Sequence, residues 1–130
     1  MPYARPTVLV VDDEEVIRGT FVDLLSEGYE VRPATNLDEA RRTLASERVD
    51  LIVLDWLYDD ASTAEPLIRE LASRDESPAI VLVSVSRLAI DAGARYHIPV
   101  LCKPFDLDVL LTTVTEALTH MSRPSMPQVS

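Results

Sequence analysis

The sequence predicts an α/β domain, a five-stranded parallel sheet with helices on both faces and strand order 2-1-3-4-5. Short apolar runs alternate with stretches whose apolar residues recur at helical spacing, as in consecutive βαβ crossovers. The first, third and fourth runs are the most continuously apolar, which suits central strands covered on both sides. The first and third also close abruptly on acids, Asp12-Asp13 and Asp55, which places the reversal of strand order between them.

Thr7–Val11 is the first strand. A helix follows from about Glu14 to Glu27, with Val16, Ile17, Phe21, Leu24 and Leu25 on one face and Gly28 as the residue that ends it. Glu30–Ala34 is a weaker strand near the edge of the sheet, limited by Pro33, which has no N–H for the ladder. Asn36 caps the next helix, with Glu39 as its capping-box partner and Leu37, Ala40 and Leu44 facing inward. Leu51–Asp55 is the third strand. The loop Trp56–Thr63 is acidic and lacks glycine, and the short helix after it takes Pro66 in its first turn and buries Leu67, Ile68 and Leu71. Ala79–Val83 is the fourth strand, and Arg87–Tyr96 has room for about two and a half helical turns. Pro99–Cys102 is the fifth strand, with Cys102 as a small buried residue. Asp106 opens the last helix, whose buried stripe is Leu107, Leu110, Leu111, Val114 and Leu118. The domain is expected to span residues 1–121, and the Pro- and Ser-rich residues 122–130 read as a disordered tail or a linker.

Composition narrows the function. With 47% hydrophobic and 26% charged residues in 130, the chain is an ordinary globular domain. Its formal charge of −10, from 22 acidic against 12 basic residues, offers no basic footprint for phosphates and argues against direct nucleic-acid binding. Cys102 is the one cysteine, which excludes an internal disulfide and a cysteine-based metal site. No window approaches a membrane span and the first residues lack a long apolar stretch, so the cytoplasm is the expected compartment.

With the first and third strands as neighbours, ~4.8 Å apart, Asp12, Asp13 and Asp55 converge on one crevice. Two carboxylates ~4 Å apart repel by about 4 kcal/mol at an effective dielectric near 20. A hard divalent cation bound by oxygen is the natural compensation. Val81-Leu-Val-Ser84 adds a hydroxyl at the end of the fourth strand, and Leu101-Cys-Lys103-Pro104-Phe105 adds an ammonium at the end of the fifth. A cation, a lysine and a hydroxyl around a carboxylate are the parts needed to place a phosphoryl group on it.

The order Asp-Asp, Asp, Ser, Lys-Pro-Phe resembles the receiver domain of two-component response regulators, from about Thr7 to Met121. The resemblance implies a flavodoxin-like, doubly wound fold with five helices. It implies that Asp55 is the phosphoacceptor, attacking the phosphohistidine of a sensor histidine kinase or phosphotransfer protein, with Mg²⁺ as cofactor. Asp13 would then bind Mg²⁺ directly and Asp12 largely through a water, while Asp55 and the backbone carbonyl of Leu57 complete the protein ligands. Ser84 would hydrogen-bond the phosphoryl group, and Lys103 would pair with it or with unmodified Asp55. The Lys103–Pro104 bond is cis in such proteins. The implied role is signalling rather than enzymatic, with output by contact to a downstream effector protein. A homodimer would use the face between the fourth and fifth helices.

The chain departs from the family pattern in places. Asp59 and Thr63 stand where Pro and Gly are usual, Val85 replaces a small residue after Ser84, and Val100 replaces the aromatic switch three residues before Lys103. The short spacing from Ser84 to Lys103 predicts an abbreviated or irregular fourth helix. These departures keep an alternative open, a degenerate, phosphorylation-independent interaction module in which Lys103 is a structural partner of Asp55. An aspartyl-phosphate phosphatase is disfavoured because Leu57 occupies the place of the second acid. A flavin binder is disfavoured because no Ser/Thr/Gly-rich phosphate loop follows the first strand. Trp56 reads either as an exposed interaction anchor or as a side chain packed on its own loop. Tyr96 has no assigned place.

Overall fold

The computed structural model describes residues 5–58 and 60–122. Strands β1 (Thr7–Val11), β2 (Glu30–Ala34), β3 (Leu51–Asp55), β4 (Ala79–Ser84) and β5 (Val100–Cys102) form one sheet in the order β2-β1-β3-β4-β5. All four pairings are parallel. The helices are α1 (Glu15–Leu25), α2 (Leu37–Ser46), α3 (Glu65–Ala72), α4 (Leu88–Tyr96) and α5 (Leu107–Ser122). Fold class, strand order and helix number are those the sequence predicts.

Successive side chains on a strand point to opposite faces, so each central strand feeds two cores. Leu9, Val11, Ile52, Leu54 and Leu82 pack with Ala40 of α2, Leu67, Ile68 and Leu71 of α3, and Ala89 and Ala92 of α4. Val8, Val10, Leu51, Val53 and Val81 pack with Phe21 and Leu25 of α1 and Leu110 and Val114 of α5. β2 is an edge strand, which accommodates Pro33 opposite Val10. At α2, Asn36 Oδ1 accepts the Glu39 N–H at 2.9 Å, as expected. The Glu39 carboxylate reaches one residue further back than predicted, accepting from the Thr35 N–H at 2.8 Å and the Thr35 hydroxyl at 3.0 Å.

Several details correct the sequence reading. On α1, Val16 is exposed, because at 100° per residue it lies about 140° around the helix from Phe21. On α5, Leu107, in the first turn, and Leu111, about 100° around from Leu110, are also exposed. Cys102 is exposed because β5 is a short edge strand, covered on that face only as far as the half-buried Val100. Gly28 makes no left-handed cap: no described glycine has positive φ, and α1 closes on Ser26 in right-handed geometry. The left-handed cap falls instead on His97 after α4, at φ 56° and ψ 50°. Of the expected tail, Ser122 closes α5 and residues 123–130 lie outside the described residues.

Candidate functional site

The site follows from register. Val11 pairs with Leu54, so Asp12 and Asp55 leave adjacent strands side by side, with Asp13 one residue on. One oxygen from each of these three carboxylates lies within 4.8 Å of the others. Asp12 and Asp55 are buried and Asp13 is half-buried. Lys103 comes in from the end of β5, where Lys103–Pro104 is cis. Its Nζ stands 3.5 Å from Asp12 Oδ2 and 3.7 Å from Asp55 Oδ1. Ser84, buried at the end of β4, follows Val83, the partner of Asp55 across the ladder. Its Oγ accepts the Ser86 N–H at 2.8 Å, which leaves the hydroxyl proton to donate.

Three acids facing one lysine set the electrostatics. Burial, then the charge of Asp12, pushes the Asp55 carboxyl from its ordinary 3.8 up to about 7; Asp13 adds to the rise, while Lys103 and the Trp56 N–H oppose it. Asp12 Oδ1 accepts the Glu14 N–H at 2.9 Å, but the enclosed Oδ2 has no hydrogen-bond partner among the described residues, with the Lys103 ammonium as its charge partner. Crowded hard oxygen donors and a carboxylate oxygen free of hydrogen bonds could hold a divalent cation.

The segment after Asp55 is more ordered than its sequence suggests. Leu57 forms an isolated antiparallel bridge with Thr63, flanked by hydrogen bonds from the Tyr58 N–H to Ser62 O at 3.0 Å and from the Ala64 N–H to Trp56 O at 2.9 Å. Extended geometry therefore continues past β3, and alternation turns Trp56 and Tyr58 into the core at 4% and 7% exposure while Leu57 faces out at 42%. Trp56 is thus a core residue, not an exposed anchor. Both aromatics were legible in one respect: residues 51–58 are apolar or aromatic everywhere except Asp55. The turn is closed by Ala61 at φ 67°, its N–H on Tyr58 O at 2.8 Å, so the lack of glycine did not prevent it.

Two further residues find their places. The Tyr96 hydroxyl donates to Glu65 Oε2 at 3.1 Å and accepts from Arg69 Nε at 3.4 Å, tying α4 to α3. Gly93 of α4 lies against β5: a Cβ there would collide with Val100 Cγ2 and stand 2.8 Å from Ile98 O. Val100, where an aromatic was expected, is therefore packing for a short helix. Val85, next to Ser84, is 73% exposed. No described helix is long and apolar enough to cross a membrane.

The model of the response regulator receiver domain family matches residues 8–115. The DNA-binding transcriptional regulator NtrC of Rhizobium meliloti is 32% identical over 120 residues, covering 90% of this chain and 25% of NtrC. The response regulator MprA of Mycobacterium avium is 34% identical over 123 residues, covering 90% of this chain and 52% of MprA. The chain therefore spans between about a quarter and a half of the length of these relatives. Among solved structures, the signal receiver domain of an HD domain-containing protein from Pseudomonas fluorescens has a TM-score of 0.78 at 30% identity, covering 89% of this chain and 96% of that one. The response regulator TrrA of Thermotoga maritima, in complex with Mg²⁺ and BeF, has a TM-score of 0.74 at 26% identity, covering 86% and 98%.

Proposed function

The chain belongs to the response regulator receiver domain family, and on that premise we propose that it accepts a phosphoryl group on Asp55 from a sensor histidine kinase or phosphotransfer protein, with Mg²⁺ required. The observation that carries this reading is the convergence of Asp55 with Asp12, Asp13 and Lys103 at neighbouring strand ends. Asp12, Asp13, Asp55 and the backbone carbonyl of Leu57 are the proposed ligands, and the three clustered carboxylates with the unbonded Asp12 Oδ2 fit a hard cation. When bound, Mg²⁺ supplies positive charge against the carboxylates and the phosphoryl oxygens. An Asp55 oxygen attacks phosphorus, the P–N bond of the phosphohistidine breaks, and its electron pair leaves with the imidazole. Lys103 then pairs with the phosphoryl group, and the Ser84 hydroxyl donates to one of its oxygens. The Mg²⁺ and BeF named with TrrA support the same ligand chemistry here.

Output would pass by contact to a downstream effector protein. Exposed Leu88 and Ile90 on α4 and Leu107 and Leu111 on α5 support that face as the contact, for an effector or a homodimer. NtrC is described as DNA-binding, but this chain aligns with only 25% of it. The formal charge of −10 supports a protein partner rather than nucleic acid. We take the receiver domain to run to Ser122, where α5 ends, one residue beyond the expected 121, with 123–130 as a tail or linker and the cytoplasm as its place of action. A phosphorylation-independent module remains the alternative, favoured by the exposed Val85 beside Ser84.

Incubation with Mg²⁺ and acetyl phosphate, read by intact mass beside Asp55→Asn, tests the proposal. A gain of one phosphoryl group, absent in Asp55→Asn, is the expected result. No gain in folded protein, either from acetyl phosphate or from a phosphorylated kinase, would favour the alternative.

A further inference from the structure

Tyr58 carries a group that the phosphoacceptor reading leaves unused. Its ring sits in the core, yet Oη is enclosed and has no hydrogen-bond partner among the described residues. Phenylalanine would fill the same space without burying an unbonded hydroxyl. Tyr58 stands three residues past Asp55 and directly after Leu57, whose backbone carbonyl is one of the proposed ligands. Tyr58 and Asp13 also line one cavity of about 410 Å³, together with Thr35, Asn36 and Ser62.

Building on the cation site proposed above, we propose that the Tyr58 hydroxyl is an outer-shell partner of the cation held by Asp12, Asp13 and Asp55, hydrogen-bonding a cation-bound water. Tyr58 touches no reacting atom; it is a positioning residue. A neutral phenol is a poor direct ligand, but Mg²⁺ dehydrates reluctantly and keeps several waters. The hydrogens of those waters need acceptors. A phenol oxygen accepts one, which leaves its own O–H to donate to a further water. Asp12 Oδ2, likewise without a hydrogen-bond partner among the described residues, is an acceptor for another of those waters. Partners of this kind orient the ligands and tune metal affinity.

The test is a Mg²⁺ titration of the whole chain followed by amide chemical shifts, on the parent, Tyr58→Phe and Asp13→Asn, with melting in EDTA alongside. The parent is expected to bind saturably and Asp13→Asn to lose binding. Tyr58→Phe should bind about tenfold more weakly while melting in EDTA at or above the parent temperature. Equal Mg²⁺ affinity in Tyr58→Phe would overturn the proposal and leave the cation site standing. An EDTA melt below the parent, or loss of the fold, would assign Tyr58 a structural role and overturn it as well. Absence of saturable binding in the parent itself would remove the cation site, and this proposal with it.

Discussion

Asp55→Asn is expected to stabilise the cation-free protein, by an amount that depends on pH. The Asp55 carboxyl, ordinarily at 3.8, is held up to about 7 in the fold. It therefore binds its proton about a thousandfold more tightly in the native than in the unfolded chain, and at about 1.4 kcal/mol per tenfold this sets a ceiling of about 4 kcal/mol. Between those two values the native state holds more protons than the unfolded state, so stability falls as pH rises through the window and stays low above it. Asparagine keeps the shape without the charge. Its gain at about pH 8 should be roughly 1–4 kcal/mol, the Lys103 attraction being already contained in that ceiling. Urea unfolding in EDTA from about pH 4 to pH 8, followed by the fluorescence of Trp56, the one tryptophan, measures it. The advantage of Asp55→Asn should grow with pH and shrink when Mg²⁺ is added. A difference that is flat in pH, or a variant less stable than the parent at about pH 8, would refute the electrostatic reasoning.

Lys103→Ala should act in the opposite sense, because it leaves Asp12 and Asp55 without the cation at 3.5 and 3.7 Å. A loss of about 1–3 kcal/mol at about pH 8 in EDTA, narrowing toward pH 4, is expected from the same unfolding assay. Gly93→Ala should cost about 1–3 kcal/mol by overpacking, since its Cβ meets both Val100 Cγ2 and Ile98 O. Val100→Ala in the same chain should restore only part of that in thermal melts, because the Ile98 carbonyl stays where it is.

The parts of the site carried by strand ends were legible because a parallel sheet converts sequence order into position. Val8–Val11 and Leu51–Leu54 pair in register, so the acids that follow them must meet. Lys103 and Ser84 follow by the same logic from β5 and β4. What the sequence hid depends on how far each helix face is covered. Apolar spacing put Val16, Leu107 and Leu111 in the core, but the faces of α1 and α5 that meet the sheet are narrower and centre on Phe21 with Leu25 and on Leu110 with Val114. Periodicity gives a direction, not a width. The left-handed backbone positions were hidden for another reason: they fall on Ala61 and His97, not on glycine, so no residue type announced them. Tyr58 was missed because a buried hydroxyl without a hydrogen-bond partner among the described residues breaks the rule by which buried polar groups are placed.

The residue at position 100 also bears on how the site communicates with α4. Val100 packs against Gly93 of α4, and position 100 carries no aromatic ring that could swing toward the hydroxyl at the end of β4. The link that exists runs through hydrogen bonds of the turn. Ser84 Oγ accepts the Ser86 N–H at 2.8 Å, and Ser86 Oγ accepts the N–H of Leu88, the first residue of α4, at 3.1 Å. Any ligand that draws the Ser84 hydroxyl toward Asp55 therefore pulls on a two-bond chain ending at the start of that helix. The far end of α4 is held by the Gly93 contact and by Tyr96, through its bonds to Glu65 and Arg69. At the site end α4 is thus held by this hydrogen-bonded chain and by the buried Ala89, so a pull on Ser84 reaches the helix start beside the exposed Val85 and Leu88, while the far end stays anchored by packing and by Tyr96.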